Sequence, residues 1–199
     1  MKLILSSCDF GNPKSAKFIN DNLGMPIETC KVLYFPNEKA TEDKIKSGKY
    51  EKRLLKYGFL PKNIYVFDYW DSYRFFDIKV DAVYISGGNT FGTLKRIRET
   101  GADKLLINLV KSGAIYIGGS AGAHIASTNI EHVAKYDEDT FGFSDFSGLC
   151  LYGGIFICHY DEKRREDYEH LKGDGKYHII HLRDDESILV EDNTYKKLS

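Results

Sequence analysis

The feature that most constrains this chain is a recurrence of short, nearly unbroken apolar runs separated by stretches of helix length. Lys2–Cys8, Lys31–Phe35, Ile64–Phe67, Asp81–Ser86 and Ala114–Ile117 each read as a strand. Between the first two lies Pro13–Leu23, with apolar residues near helical spacing and a proline close to its start. Thr41–Tyr57 is strongly charged and carries Ile45, Leu54 and Leu55 as an apolar stripe, so it reads as an exposed amphipathic helix. Thr90–Arg98 and Lys104–Lys111 read as helices. Crossovers of this length join strands in parallel, and strands apolar throughout need helices over both faces. The expected class is therefore α/β with a mainly parallel sheet.

Past Thr128 the regularity falls away. Glu131–Gly148 is polar with scattered aromatics and reads as a long loop. Tyr152–Cys158 reads as a later strand and Glu162–Leu171 as a charged helix. Tyr177–Leu182 and Ser187–Val190 read as two more strands, joined through Arg183-Asp184-Asp185-Glu186. No repeat or linker divides the chain, and 199 residues suit a single domain over 1–199.

Composition narrows the function classes. A formal net charge of −1 argues against a general nucleic-acid binder, which needs a local excess of Lys and Arg. No apolar stretch approaches the ~18 residues of a membrane span, and the N-terminus lacks the pattern of a signal peptide. Cys8, Cys30, Cys150 and Cys158 show no CxxC spacing and read as reduced thiols. The expectation is a soluble, cytoplasmic protein.

Two glycine-rich turns carry the chemistry. Gly118-Gly119-Ser120-Ala121-Gly122 follows the fifth strand and opens a helix, the context in which a sharp turn exposes a serine hydroxyl above a sheet. The helix start aims backbone N–H groups at the same place, where they could stabilise an oxyanion. Ser86-Gly87-Gly88-Asn89-Thr90 follows the fourth strand, and in an open parallel sheet both turns face one crevice. Ala121 and Gly88 are the candidate oxyanion donors. The same turns could also be plain βα connections or a phosphate cradle.

A serine nucleophile needs a base, and six histidines compete. His124 lies one turn into the helix after Ser120 and points away from the hydroxyl. His132 falls in the irregular segment, His170 on a charged helix, and His178 and His181 on the terminal strands. His159 ends an apolar strand, where the crevice should open, and is favoured.

At these residues the chain resembles the S51 serine peptidases, which include aspartyl dipeptidases (peptidase E) and cyanophycinases. Ser86–Thr90, Gly118–Ala123 and His159-Tyr160 match in order and separation over about residues 80–165. The resemblance implies a three-layer α/β/α sandwich, similar to class I glutamine amidotransferases, which carry Cys at the elbow where Ser stands here. It implies Ser120 as nucleophile, His159 as general base, and Gly88 and Ala121 as the oxyanion hole. Peptide hydrolysis through an acyl-enzyme would follow, with no metal or organic cofactor.

The family places its acidic residue between nucleophile and histidine. Asp137 is the first choice for that role and Glu138 the second, with Glu131, Asp139, Asp145 and Asp161 also available. Members that cleave after an N-terminal aspartate need a cation for its carboxylate; Arg164 and Arg165 could supply one, and Asn89 could contact substrate. The expected substrate is a short peptide. A serine hydrolase of other specificity (esterase, amidase or isopeptidase) and a non-catalytic binding homologue remain as alternatives.

Overall fold

A computed structural model describes residues 1–191 and 194–198 of the chain. The apolar runs become β1 (Lys2–Ser6), β2 (Val32–Phe35), β3 (Ile64–Val66), β4 (Ala82–Ile85) and β5 (Ile115–Gly119). Each neighbouring pair among them is parallel. Two further strands, β8 (Ser187–Glu191) and β9 (Thr194–Leu198), extend the sheet in antiparallel sense beyond β1. The seven-stranded order is β3-β2-β4-β5-β1-β8-β9.

Alternation along the strands sorts the core into two sheets of side chains. Ile4, Val32, Tyr34, Tyr84 and Ile117 pack on one face with Phe18, Ile19, Tyr50 and Leu54. Those partners come from α1 (Pro13–Asn22) and α3 (Lys49–Leu55). On the other face Leu5, Leu33, Phe35, Val83 and Tyr116 meet Phe91, Leu94, Leu106 and Ile125. These belong to α4 (Thr90–Glu99), α5 (Ala102–Lys111) and α6 (Ala121–Ala126). The result is helix, sheet, helix, as continuous apolar strands demand.

Local chemistry explains the main element boundaries. Asn12 caps α1, its side chain accepting from Lys14 and Ser15 N–H, with Pro13 at the first helical position. The charged stretch expected as one helix is two, α2 (Glu42–Lys46) and α3, because Gly48 between them adopts φ 67°. Its buried members are Ile45, Tyr50 and Leu54, whereas Leu55 is exposed.

The later part departs further from expectation. Residues 177–190 do give two strands, but these do not pair with one another. β7 (His178–His181) lies parallel to β6 (Gly154–Ile157) in a separate two-stranded sheet, whereas β8 joins the main sheet. The connection 182–186 therefore passes from one sheet to the other. The charged segment after His159 becomes α7 (Arg165–Asp174), preceded by a turn over Glu162–Arg164. The polar excursion is irregular but anchored, with Phe143 and Phe146 set edge-on against Phe91 of α4. No helix among the described residues is long and apolar enough to cross a membrane.

Candidate active site

The sheet order brings the carboxyl ends of β1, β4 and β5 side by side, the place where open parallel sheets bind ligands. Ser120 follows β5 directly. Its N–H donates to Ser6 O at 2.9 Å, holding it to the end of β1. Its carbonyl accepts from Ala123 and His124 N–H at 2.9 and 3.0 Å, which starts α6 at once. The residue is forced to φ 48°, ψ −106°, a strained conformation for a side chain with a Cβ. Strand and helix can meet this abruptly because the flanking positions are glycine. A Cβ on Gly119 would stand 2.4 Å from Asp9 Cβ, and one on Gly122 would stand 2.1 Å from Ile85 O.

Ser120 Oγ is 2.8 Å from His159 Nε2, and His159 Nδ1 is 2.6 Å from Asp184 Oδ1. In this chain of bonds the serine hydroxyl donates to Nε2 and the Nδ1–H donates to the carboxylate. The bond from His159 holds the Asp184 carboxyl below its ordinary range. His159 emerges just past β6 at φ 54°, and its N–H donates to Ser7 Oγ at 2.6 Å. Ser7 Oγ in turn donates to Leu182 O at 3.3 Å, tying His159 to the segment that carries Asp184.

Buried Glu186 fixes that segment. Its carboxylate accepts from Arg183 N–H at 2.7 Å and from Lys197 Nζ at 2.9 Å. Burial alone would raise its carboxyl; these bonds hold it below the usual range instead.

Asp137 and Glu138, expected to orient the imidazole, stand elsewhere. Asp137 Oδ2 accepts from Thr90 N–H at 2.7 Å, at the start of α4. Glu138 offers its carbonyl to Asn89 Nδ2 at 2.9 Å. The physical reason is the course of the polar excursion, whose Asp137–Glu138 stretch runs along the start of α4, where it bonds Thr90 and Asn89. Asp161 caps the turn after His159, accepting from Lys163 and Arg164 N–H.

Asp184 lies in the segment 183–186, which reads in the sequence only as a connection between strands. Asp184 stands two residues past the run Ile179–Leu182, a strand end like that of His159, but it shares that position with Arg183, Asp185 and Glu186. Only the parallel pairing of β6 with β7 brings the two strand ends together.

The turn after β4 lies against the serine: a Cβ on Gly87 would be 3.4 Å from Ser120 Cβ. Asn37 Nδ2 donates to Gly87 O at 3.1 Å, and Glu38 Oε2 accepts from Asn89 N–H at 2.9 Å, so the turn is clamped from β2's side. A side chain on Gly88 would meet Asn37 Cβ at 2.6 Å. Ala121 is buried and is the first residue of α6, a position whose N–H has no partner within its helix. Asn89, expected at the substrate, caps α4 by accepting from Gly92 N–H at 2.8 Å. Both ends of its amide are thus spent on protein contacts.

A recess of about 710 Å³ opens beside His159 and Asp184, its walls mixed in charge, with Lys163, Arg164 and Arg183 set among Asp161, Asp167 and Asp185. The Arg164 guanidinium stacks 3.9 Å from the centre of the Tyr136 ring and donates to Cys158 O. Arg165 does not line this recess; it is exposed and lies 3.4 Å from Glu162. A second recess, about 510 Å³, adjoins Gly88 and is lined by Glu38, Asp137 and Glu138.

The other histidines fall away on physical grounds. His124 is buried and its basicity is driven well down, first by burial and then by nearby His132 and Arg164. Its Nε2 accepts from Cys158 N–H at 3.4 Å, leaving Nδ1 to donate toward Thr90 Oγ1. His132 is likewise lowered by burial, and its Nε2 lies 2.7 Å from Phe156 O. His170 is exposed beside Asp174.

A hydrogen-bonded Ser–His–Asp series at the carboxyl edge of an α/β/α sandwich defines the class as serine-hydrolase-like. The model of peptidase family S51 matches residues 3–198, and the chain belongs to that family. Among curated relatives, an uncharacterized peptidase of Listeria monocytogenes is 34% identical over 122 residues, 56% of this chain and 57% of that protein. Peptidase E of Escherichia coli is 48% identical over 50 residues, 25% of this chain and 22% of that protein. The chain matches just over half the length of the Listeria relative. A crystal structure of a Listeria monocytogenes protein provisionally assigned as a peptidase E aligns with TM-score 0.73 at 23% identity, covering 99% of this chain and 97% of that one. That likeness speaks to the fold alone.

Proposed function

We propose that this protein is a serine peptidase acting on short peptides. Ser120 attacks the scissile carbonyl while His159 Nε2 takes its proton. His159 then gives that proton to the leaving amine, and water hydrolyses the acyl-enzyme. Asp184 keeps Nδ1 protonated and steadies the imidazolium as it forms. Ala121 and Gly88 N–H groups receive the oxyanion. The observation that carries this reading is the continuous series Ser120 Oγ, His159 Nε2, His159 Nδ1, Asp184 Oδ1 at 2.8 and 2.6 Å.

The preferred substrate carries an acidic N-terminal residue. What supports this is Arg164 on the wall of the recess beside His159, held in place by Tyr136 and Cys158. A guanidinium so braced offers a planar fork to a carboxylate.

A fluorophosphonate probe tests the nucleophile: it should label Ser120 in the wild-type protein and leave Ser120→Ala unlabelled. Labelling that persists in the alanine variant would remove the assignment. A dipeptide panel with Asp, Glu, Ala and Leu at the N-terminal position tests specificity. Arg164→Met should raise KM for the acidic members and spare the others; a flat panel in the wild type counts against Arg164.

A further inference from the structure

One reactive side chain at this edge has no part in the hydrolytic scheme. Cys8, two residues past β1, is a free, half-buried thiol. One ligand atom each from Cys8, His159 and Asp184 lie within 4.8 Å of one another. The three come from widely separated parts of the sequence, and the sheet order gathers them. A thiolate, an imidazole and a carboxylate form a donor set suited to zinc, and a tetrahedral centre spaces such ligand atoms about 3.3–3.8 Å apart. His159 Nδ1 and Asp184 Oδ1, at 2.6 Å, would need to part by about 1 Å. Asp184 can do so because its side chain is 66% exposed. We propose that Cys8, His159 and Asp184 form a binding site for a zinc-type divalent cation, with water as fourth ligand, and that occupation switches the hydrolytic centre off.

The inhibition follows from the tautomer. A metal binds imidazole through a ring-nitrogen lone pair, so on Nδ1 it takes the place of the proton that Asp184 holds. The neutral ring then carries its proton on Nε2, which becomes a donor and can no longer accept from Ser120 Oγ. The proton balance is simple: the Nδ1 proton is replaced by one at Nε2, and the Cys8 thiol releases its proton to solvent as the thiolate–metal bond forms. A dication at the site stabilises the thiolate directly. The site stands on its own geometry; its inhibitory consequence rests on His159 being the base.

Two readouts separate those claims. Cobalt(II), which replaces zinc and absorbs when bound to thiolate, should give a charge-transfer band with the wild-type protein and with Ser120→Ala. The band should vanish in Cys8→Ser and in Cys8→Ala but survive Cys150→Ser, since Cys150 is the exposed thiol. Zinc should suppress fluorophosphonate labelling of the wild type, and Cys8→Ser should require at least about tenfold more zinc, the scale of losing even an outer-shell partner of a metal ligand. A band absent from the wild type, or one that survives both Cys8 variants, overturns the site. Equal zinc sensitivity of wild type and Cys8→Ser overturns the inhibition. Should the probe label nothing, the peptidase reading fails while the cobalt band still decides the metal site.

Discussion

The two sides of the crevice are built on opposite terms. On one side, the segment from β5 into α6 is buried almost throughout, and Ser120 is aimed by backbone approach that leaves no room for a Cβ at Gly119 or Gly122. On the other, His159 and Asp184 stand at loop ends, partly in solvent, aimed by hydrogen bonds through Ser7, Leu182 and Glu186. A nucleophile must be held where its hydroxyl meets the carbonyl, and steric confinement does this without charge. A base must gain and lose a proton beside a carboxylate that stays charged, which a buried site resists; the buried neutral His124, one turn beyond Ser120, shows what full burial would have cost. Confinement sits with Ser120, and partial exposure with His159 and Asp184.

That contrast can be broken by substitution. The largest expected effect is from Ser120→Ala, which should lower kcat by about 10⁶-fold, the loss known for removing a triad nucleophile. Its measurement is steady-state hydrolysis of a responsive dipeptide. Next, Asp184→Asn should cost about 10⁴-fold in kcat through the wrong imidazole tautomer. Asp137→Asn should cost far less, since its carboxylate serves Thr90 N–H. If the ranking of the two variants is reversed, the acid belongs to the polar excursion after all.

On the confined side the loss should fall on stability. Gly122→Ala places a methyl group 2.1 Å from Ile85 O and should destabilise by at least about 1–3 kcal/mol, read from urea unfolding. A value near zero would mean that strand and helix can part without penalty.

The smallest effect is a pH dependence. His124 and His132 are held neutral by burial, so their folded pKa values lie below the unfolded value of about 6.5. The unfolded chain then binds protons that the folded one refuses, and stability should fall as pH drops below about 6.5, by up to about 1.4 kcal/mol per pH unit for each histidine. His124→Gln should flatten that slope, measured by urea melts at neutral and mildly acid pH.

Much of this was legible from residue types alone. The apolar runs specified five parallel strands because each strand is buried on both faces and so carries no alternation to misread. The glycines around Ser120 announced the elbow by their spacing between a strand and a helix, although the groups they approach, Asp9 and Ile85, are distant in sequence. His159 was readable from its place at the end of an apolar strand. The acid was not: Asp137 and Asp184 are both exposed-type residues in polar segments, and no periodicity separates them.

What the sequence determined by itself is the five parallel strands, the strand-to-helix turn and the serine on it, because apolar runs and glycine spacing are patterns within a few residues. Only the tertiary structure decided which acid faces His159. The choice follows from β7 pairing with β6 while β8 crosses to β1, contacts between segments distant in sequence. The same pairing set Cys8 beside His159, and Arg164 rather than Arg165 on the wall of the recess. Hydrogen bonds between strands fix such neighbours, and their partners are chosen by the packing of the whole chain.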